Sequence, residues 1–251
     1  MRSVGQLRRV ERLAEQGHSA SEIAARTGIP RTTVRGWFAG EVPRRLALAS
    51  SSCARCSGVH ELDTLPAALY AYAFGMYLGD GCILKHPRGV WRLEITLDSI
   101  YPGIISECAE AVAAVMPDSK VAIYTDHGRG RFALVRSYSK AWPCLFPQHG
   151  PGRKHARKIE LAPWQERIVD AQPEQFVRGL IHSDGCRVLN RVNGKAYPRY
   201  HFTQVSDDIR RLFCRSLRQL GIDYTWNDAR NVSVARRAGV ARLDEFVGPK
   251  H

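Results

Sequence analysis

The sequence predicts an α+β protein in which two tandem αββαββα repeats follow a small all-α domain. Three observations predict this architecture. An apolar helix that ends in Asp-Gly occurs twice, the same order of strand and helix patterns follows each copy, and the N-terminal segment carries three short helical patterns. The chain has 251 residues, which is enough for two or three domains that each have a core of their own.

The N-terminal segment, residues 3–40, is expected to form three short helices. Apolar residues recur at helical spacing in the first helix, and Ser19 with Glu22 forms a capping box at the start of the second. In the third helix, Val34 and Trp37 are expected to face inward. The residues expected to face outward are Arg31, Thr32, Thr33 and Arg35.

This segment resembles a helix-turn-helix, with Gly28 at the turn before the third helix. In that family the last helix lies in the major groove, and its outward N-terminal residues contact bases or phosphates. The alternative is a small helical bundle that is used for protein contacts. The positive charges of Arg31 and Arg35 favour DNA.

Residues 43–65 are expected to form a linker that contains a Cys-x-x-Cys motif. Such a motif can place the thiolates of Cys53 and Cys56 on one zinc ion, with His60 as a third ligand. A complete structural site needs a fourth ligand, which would come from elsewhere in the chain. The alternative is a pair of thiols that bind no metal.

The central feature of the sequence is the stretch at 72–81, YAFGMYLGDG, which is nearly repeated at 176–185 as FVRGLIHSDG. In each copy, small residues lie four positions apart and therefore share one helix face. These small residues are Gly75, Gly79, Gly179 and Ser183. Two such faces can pack backbone against backbone, and this packing would bring Asp80 and Asp184 together.

Similar patterns follow each copy. After the first, alternation predicts a hairpin at 82–85 and 90–97, a helix at 99–115, strands at 121–125 and 131–136, and a short helix towards Phe146. After the second, the expected elements are strands at 186–189 and 199–205, a helix at 207–220, strands near 224 and at 232–235, and a helix to Val247.

Helices that cover one face of each predicted sheet would leave its other face open. Polar residues of that face would contact a DNA groove or plain solvent: Arg92, Glu94, Thr96, Arg199, His201 and Thr203.

The two Asp-Gly helices resemble the LAGLIDADG homing endonucleases, in the form that has two motif copies in one chain. Gly75 and Gly179 match the internal glycine of the motif, and Asp80 and Asp184 match its catalytic acid. The resemblance implies two repeats that form a pseudo-twofold DNA-binding saddle, so that a monomer acts as a pseudo-dimer. The expected segments are 1–42 (helix-turn-helix), 43–65 (linker), 66–149 (first LAGLIDADG repeat), 150–172 (basic linker) and 173–251 (second repeat).

The resemblance also implies metal-dependent hydrolysis of phosphodiesters. Asp80 and Asp184 would each hold Mg²⁺, or another divalent cation, together with a backbone carbonyl at the helix end, from Gly79 and Ser183 respectively. Divalent cations held by hard oxygen ligands make water nucleophilic and neutralise the leaving oxygen.

Further site residues follow from the resemblance. Gln204 would orient the water, whereas Leu97 stands at the equivalent place in the first repeat. Lys140, near the end of the fourth strand, would assist the transition state. Arg236 or Arg237 would be its counterpart in the second repeat, and both are expected near DNA.

The basic linker is expected to be flexible and to contact DNA phosphates, with an affinity that weakens as salt rises. The residues concerned are Arg153, Lys154, Arg157 and Lys158. The alternative is a solvated linker whose charges serve solubility.

The composition limits the choice of partner. The net charge of +13 indicates a partner coated with phosphate, although charge alone does not separate nucleic acid from an anionic membrane. No apolar run is long enough to span a bilayer, so we expect a cytoplasmic protein, associated with the nucleoid if bacterial, that does not bind membranes. The seven cysteines are mostly isolated, and we expect no disulfide bonds.

The sequence is therefore expected to encode a site-specific endonuclease of homing type that makes a double-strand break in DNA. The main alternative is a transcription regulator that keeps the same saddle as a DNA clamp without cleavage. An intron-splicing helper that binds RNA fits the helix-turn-helix less well. Paired carboxylates also serve glycoside hydrolases, but the basic charge argues against such a substrate.

Overall fold

The structure, a computed structural model, describes residues 4–42, 53, 55, 56, 58, 60, 62–126, 131–248 and 250. Most of the expected linker at 43–65 lies outside the described residues. The chain divides into two compact units, Met1–Glu61 and Leu62–His251.

The first unit contains three helices. They are α1 (Val4–Glu15), α2 (Ala20–Thr27) and α3 (Arg31–Phe38). Helix α2 begins with the predicted capping box of Ser19 and Glu22, and it ends at Gly28, whose φ of 69° favours glycine. One small core is formed by Leu7, Val10, Ile23, Ile29, Val34 and Trp37. The three helices agree with the sequence prediction.

The second unit contains both repeats, and each follows the predicted order αββαββα. The first repeat consists of α4 (Ala67–Asp80), β1 (Gly81–Lys85), β2 (Trp91–Asp98), α5 (Pro102–Val115), β3 (Val121–Thr125), β4 (Phe132–Ser139) and α6 (Trp142–Leu145). Helix α7 (Pro163–Ala171) lies between the repeats. The second repeat consists of α8 (Pro173–Asp184), β5 (Gly185–Val192), β6 (Lys195–Thr203), α9 (Asp207–Gln219), β7 (Thr225–Trp226), β8 (Asn231–Val234) and α10 (Arg237–Phe246).

Each repeat forms a four-stranded antiparallel sheet. The strand orders are β1-β2-β4-β3 and β5-β6-β8-β7, so the two sheets have the same topology. In β2, Leu93, Ile95 and Leu97 are buried whereas Thr96 is exposed, as the alternating sequence predicts. One face of the sheet therefore covers the core, and the polar side chains lie on the other face.

Apolar residues of both repeats join in one core. Helix α4 is buried from Tyr70 to Leu78, because α5, α7 and α8 all pack against it. The rings of Tyr70, Phe74, Phe146 and Phe176 stack with centroids 5.7 to 6.1 Å apart. This packing fixes the ends of α4 and α8, where the site lies.

The segment expected to be a flexible linker, 150–172, carries helix α7, which the sequence analysis did not foresee. A buried polar network holds this helix to α4. The amide of Gln165 donates to the Tyr70 hydroxyl at 2.7 Å, and the amide of Gln148 donates to Gln165 Oε1 at 2.7 Å. These side chains lie far apart in sequence, so their pairing left no local signal.

Two composition-based expectations concern the chain as a whole. Within the described residues, no helix combines the length and the apolar character that crossing a bilayer requires. All seven cysteines lie among the described residues, and each carries a thiol side chain.

Candidate active site

The two Asp-Gly helices pack backbone against backbone. A methyl group added at Gly75 would lie 2.6 Å from the Phe176 carbonyl oxygen and 2.8 Å from the Leu180 nitrogen. One added at Gly179 would lie 3.1 Å from the Gly75 Cα. The approaches of the Gly75 methyl group are shorter than real Cβ contacts, and a methyl group at Gly179 would also overlap the Tyr72 carbonyl oxygen, so only glycine fits at both positions. The close seam brings the C-terminal ends of α4 and α8 side by side.

Asp80 and Asp184 are the last residues of these two helices, and both are partly buried. Burial raises the pKa of Asp80 above its usual range. Burial, followed by the negative charge of Asp80, raises the pKa of Asp184 to about 6. The two carboxylates therefore repel each other across the seam, and a cation between them would stabilise their charged forms.

Gln204 lies beside the second carboxylate. Its Nε2 donates to Asp184 Oδ2 at 2.6 Å, while the Ser206 backbone N–H donates to its Oε1 at 3.1 Å and so fixes the orientation of the amide. Leu97, at the matching place in the first repeat, is buried and lines a cavity of about 120 Å³ together with Asp80. The two halves of the site are therefore chemically different.

Lys154 lies at the end of α4. Its Nζ donates to three backbone carbonyl oxygens: those of Tyr77 at 2.6 Å, Gly79 at 2.5 Å and Gly81 at 2.8 Å. All three N–H bonds of the ammonium group therefore have acceptors. Burial lowers the pKa of Lys154 to about 8, although the charges of Asp184 and Asp80 act against this shift.

Lys250 lies at the end of α8 in the same way. Its Nζ donates to the carbonyl oxygens of His182 at 3.0 Å and Gly185 at 2.6 Å. Burial lowers its pKa, and both aspartates oppose that shift. Each helix end thus holds one lysine.

Neither lysine was predicted to have this role. Lys154 was predicted to contact DNA phosphates, and Lys250 was not among the predicted site residues. Lys140, which was predicted to assist the transition state, lies exposed just after β4. The positive charges of Lys154 and Lys250 lower the pKa values of both aspartates and so act against the effect of burial. A sequence signal was available: Gly-Arg-Lys-His at 152–155 and Gly-Pro-Lys-His at 248–251 follow the last helices of the two repeats.

The other basic residues of the linker have different surroundings. Arg157 donates to the carbonyl oxygens of Gln148 at 3.0 Å, Gly150 at 3.0 Å and Gly152 at 2.8 Å, because the segment folds around its guanidinium group. The exposed Lys158 pairs with Glu160, and Arg153 is exposed.

The open face of the first sheet carries a charged cluster. Glu94 Oε2 lies 3.4 Å from Arg92 Nε and 2.6 Å from Arg136 Nε. Arg92 and Glu94 were predicted site residues, whereas Arg136 was not, although its place in alternating strand β4 was a signal. A guanidinium on each side of one carboxylate leaves this cluster with a net positive charge.

The second sheet has Arg199 and His201 on its open face. The pKa of His201 is lowered by burial and by the positive charge of Arg199. Arg236 is exposed and pairs with Asp223 at 2.5 Å, and Arg237 begins α10. Arg236 Nη1 is thus held by a protein carboxylate.

Helix α3 of the first unit has the predicted polarity. Val34 and Trp37 are buried, whereas Arg31, Thr32 and Arg35 are exposed. Thr33 is half-buried. One side of the helix therefore presents basic and hydroxyl groups to solvent.

Cys53, Cys56 and His60 lie together within the first unit. Their sulfur and ring nitrogen atoms lie within 4.8 Å of one another, and Cys56 Sγ is 3.0 Å from His60 Nε2. The backbone N–H groups of Arg55 and Gly58 each donate to one of the sulfur atoms at 3.4 Å.

Comparison with known proteins supports the fold. No protein-family model and no curated protein matches the chain. A crystal structure of I-DmoI in complex with DNA and Mn is 18% identical with a TM-score of 0.52, and the match covers 74% of this chain and 98% of that one. A structure from a study of mesophilic variants of the homing endonuclease I-DmoI is 18% identical with a TM-score of 0.51, covering 72% and 89%. The chain has the fold of the single-chain LAGLIDADG homing endonucleases, which confirms the predicted fold class.

Proposed function

We propose that the protein is a DNA endonuclease that depends on a divalent cation and cuts both strands of a specific site. The observation that carries this proposal is the pair Asp80 and Asp184 at adjacent helix ends, where burial and mutual repulsion raise the pKa of Asp184 to about 6. The net charge of +13 supports a polyanionic partner. Structures of I-DmoI, which shares the fold, contain DNA with Mn or Mg.

The donor atoms at the helix ends fit a hard divalent cation. The carboxylates of Asp80 and Asp184 and the carbonyl oxygens of Gly79 and Ser183 would hold it, because Mg²⁺ and Ca²⁺ prefer oxygen ligands. When bound, the cation supplies an activated water and neutralises charge at the leaving oxygen. The amide of Gln204 would orient the second carboxylate through its hydrogen bond at 2.6 Å.

DNA would lie across the open faces of the two sheets. Arg92 and Arg136 on the first sheet and Arg199 on the second would contact phosphates or base edges there. The exposed side of α3 would add affinity or target choice, as a helix that enters the major groove. The chain would act as a monomer, since its two repeats supply both half-sites.

The experiment that tests this proposal compares the parent protein with Asp80→Asn and Asp184→Asn on a library of duplex DNA with Mg²⁺. We expect cleavage to disappear in both variants while DNA binding remains, because the substitutions remove ligand charge without removing basic surface. Asp118→Asn, at an exposed aspartate, is the matched control and should cut like the parent. A parent that binds a defined site and never cuts it with any divalent cation would overturn the proposal.

A transcription regulator with the same saddle is the second candidate, and one observation favours it. The Gly79 carbonyl oxygen, a proposed cation ligand, already accepts a hydrogen bond from Lys154 at 2.5 Å. A clamp that never binds a cation would keep this contact permanently. The same cleavage experiment separates the two candidates.

We also propose a structural zinc ion at Cys53, Cys56 and His60, with a fourth donor to complete the shell. The support is the clustering of the three donor atoms within 4.8 Å. Elemental analysis of the purified protein should find zinc, and Cys56→Ser should lose it. Cys186→Ser, at an exposed free thiol, should retain it. Zinc-free parent protein that keeps its folded first unit would contradict this assignment.

A further inference from the structure

The two lysines at the helix ends occupy corresponding places in the two repeats. Lys154 follows α6 and Lys250 follows α10, each within a Gly-x-Lys-His sequence. Gly152 and Gly248 both adopt left-handed backbone conformations, with φ of 75° and 71°. Both ammonium groups donate to backbone carbonyl oxygens, and the contact to Gly81 in one repeat matches the contact to Gly185 in the other. Two independent surface lysines would not share these features.

The C-terminal ends of α4 and α8 attract a cation for two reasons. The last carbonyl groups of a helix lack partners within the helix, and the helix dipole makes this end negative. Here two such ends lie side by side, and each also carries a partly buried carboxylate, from Asp80 and Asp184. Two ammonium groups offset two carboxylates and donate to the carbonyl oxygens. Without them, the seam would hold repelling charges and unsatisfied acceptors.

We propose that Lys154 and Lys250 are internal cations that stabilise the paired helix ends while no divalent cation is bound, and that they leave these carbonyl oxygens when such a cation binds. The inference rests on the proposed function for the place of the cation. Its geometric basis is the contact of Lys154 with the Gly79 oxygen at 2.5 Å and the contacts of Lys250 with the His182 and Gly185 oxygens, which flank Ser183 and Asp184 in the chain. An ammonium group and a divalent cation at the same helix end repel each other strongly.

The first test uses the parent protein and Ca²⁺ as the probe. An amine-acetylating reagent is applied in EDTA and in saturating Ca²⁺, and each lysine is quantified by mass spectrometry. We expect Lys154 and Lys250 to be protected in EDTA and to react about tenfold faster or more in Ca²⁺. The exposed Lys85 and Lys120 are internal controls whose rates should not change. Unchanged protection of both lysines in Ca²⁺, or no binding of Ca²⁺ by calorimetry, would overturn the inference.

The second test uses Lys154→Met and Lys250→Met, which keep most of the length of the side chain and remove its charge. Each variant should unfold at lower denaturant concentration than the parent in EDTA, and Ca²⁺ should restore most of the loss. Each should also bind Ca²⁺ about tenfold more tightly or more, because the competing cation is gone. Lys120→Met is the matched control. Equal Ca²⁺ affinity in parent and variants would contradict the proposal, and the acetylation test applies even if a variant fails to fold.

Failure of this inference can be separated from failure of the proposed function. If Ca²⁺ exposes the two lysines but no duplex is ever cut, the endonuclease proposal fails and the inference stands. If the parent cuts DNA while the acetylation of Lys154 and Lys250 does not respond to Ca²⁺, the inference fails and the endonuclease proposal stands.

Discussion

Gln204 and Leu97 stand at the same place in the two repeats, and they make the two half-sites unequal. Gln204 donates to Asp184 at 2.6 Å and so restricts that carboxylate to one orientation. Leu97 cannot donate to Asp80, because its side chain has no polar atom. An endonuclease with this site has one half in which the ligand is oriented by an amide and one in which it is not.

The first prediction follows from this difference. The parent should cut the two DNA strands at different rates, so a nicked plasmid should accumulate before the linear product. Gln204→Leu should slow the faster strand about 10- to 100-fold, which corresponds to the loss of one hydrogen bond to a charged group. The measurement is a time course with each strand labelled at its end.

The control for this prediction is Gln219→Leu, at an exposed glutamine that donates to the Asp170 carbonyl oxygen at 2.6 Å. It should leave both rates unchanged. Equal rates for the two strands in the parent, or equal slowing of both strands in Gln204→Leu, would show that the amide does not distinguish the half-sites.

At the scale of elements, the seam between α4 and α8 is both the centre of the core and the support of the site. The second prediction is that Gly75→Ala destabilises the protein by about 1 to 3 kcal/mol or more, because the new methyl group would meet the Phe176 carbonyl oxygen at 2.6 Å. Backbone atoms on both sides leave little room to adjust. Chemical denaturation should show the loss, and cleavage should fall with it as the carboxylates separate.

Gly36→Ala is the matched control for the seam. Gly36 also lies within a helix, but its added methyl group would meet only the flexible end of the Glu41 side chain at 2.9 Å. Alanine favours a helix over glycine by about 1 kcal/mol, so this variant should be as stable as the parent or more stable. Similar losses in both variants would mean that the loss in Gly75→Ala is not caused by the seam.

Strand β2 and the close packing of α4 could be predicted from local sequence patterns, whereas helix α7 and the role of Lys154 could not. Strand β2 was predictable because its alternation of Leu93, Ile95 and Leu97 with polar residues is a local pattern, and the glycine spacing of α4 predicted its close partner. Helix α7 was missed because Gln165 meets Tyr70, which is distant in sequence, only in the folded chain. The role of Lys154 was missed for the same reason, since its acceptors at Tyr77 to Gly81 are distant in sequence.

At the scale of the whole molecule, the basic surplus is distributed over both units. Some of these basic side chains have hydrogen-bond partners within the protein, as Arg157 has with backbone carbonyl oxygens. Arg31 and Arg35 on α3 are exposed instead, so they are available to a polyanion. Charges that meet DNA phosphates release counterions, which makes the affinity depend on salt, whereas charges held by the protein do not contribute in this way.

The third prediction tests this distinction in the full chain with the double substitution Arg31→Ala and Arg35→Ala. Affinity for duplex DNA should fall, and the slope of log affinity against log salt should decrease by about 1 for each phosphate contact that is lost. The position of cleavage should stay the same, because the carboxylates lie in the second unit. Arg167→Ala, at an exposed arginine that pairs with Asp63 at 3.3 Å, is the control and should keep the parent slope. A slope that is unchanged by the double substitution would remove α3 from the DNA interface and leave the two sheets as the surface that binds the duplex.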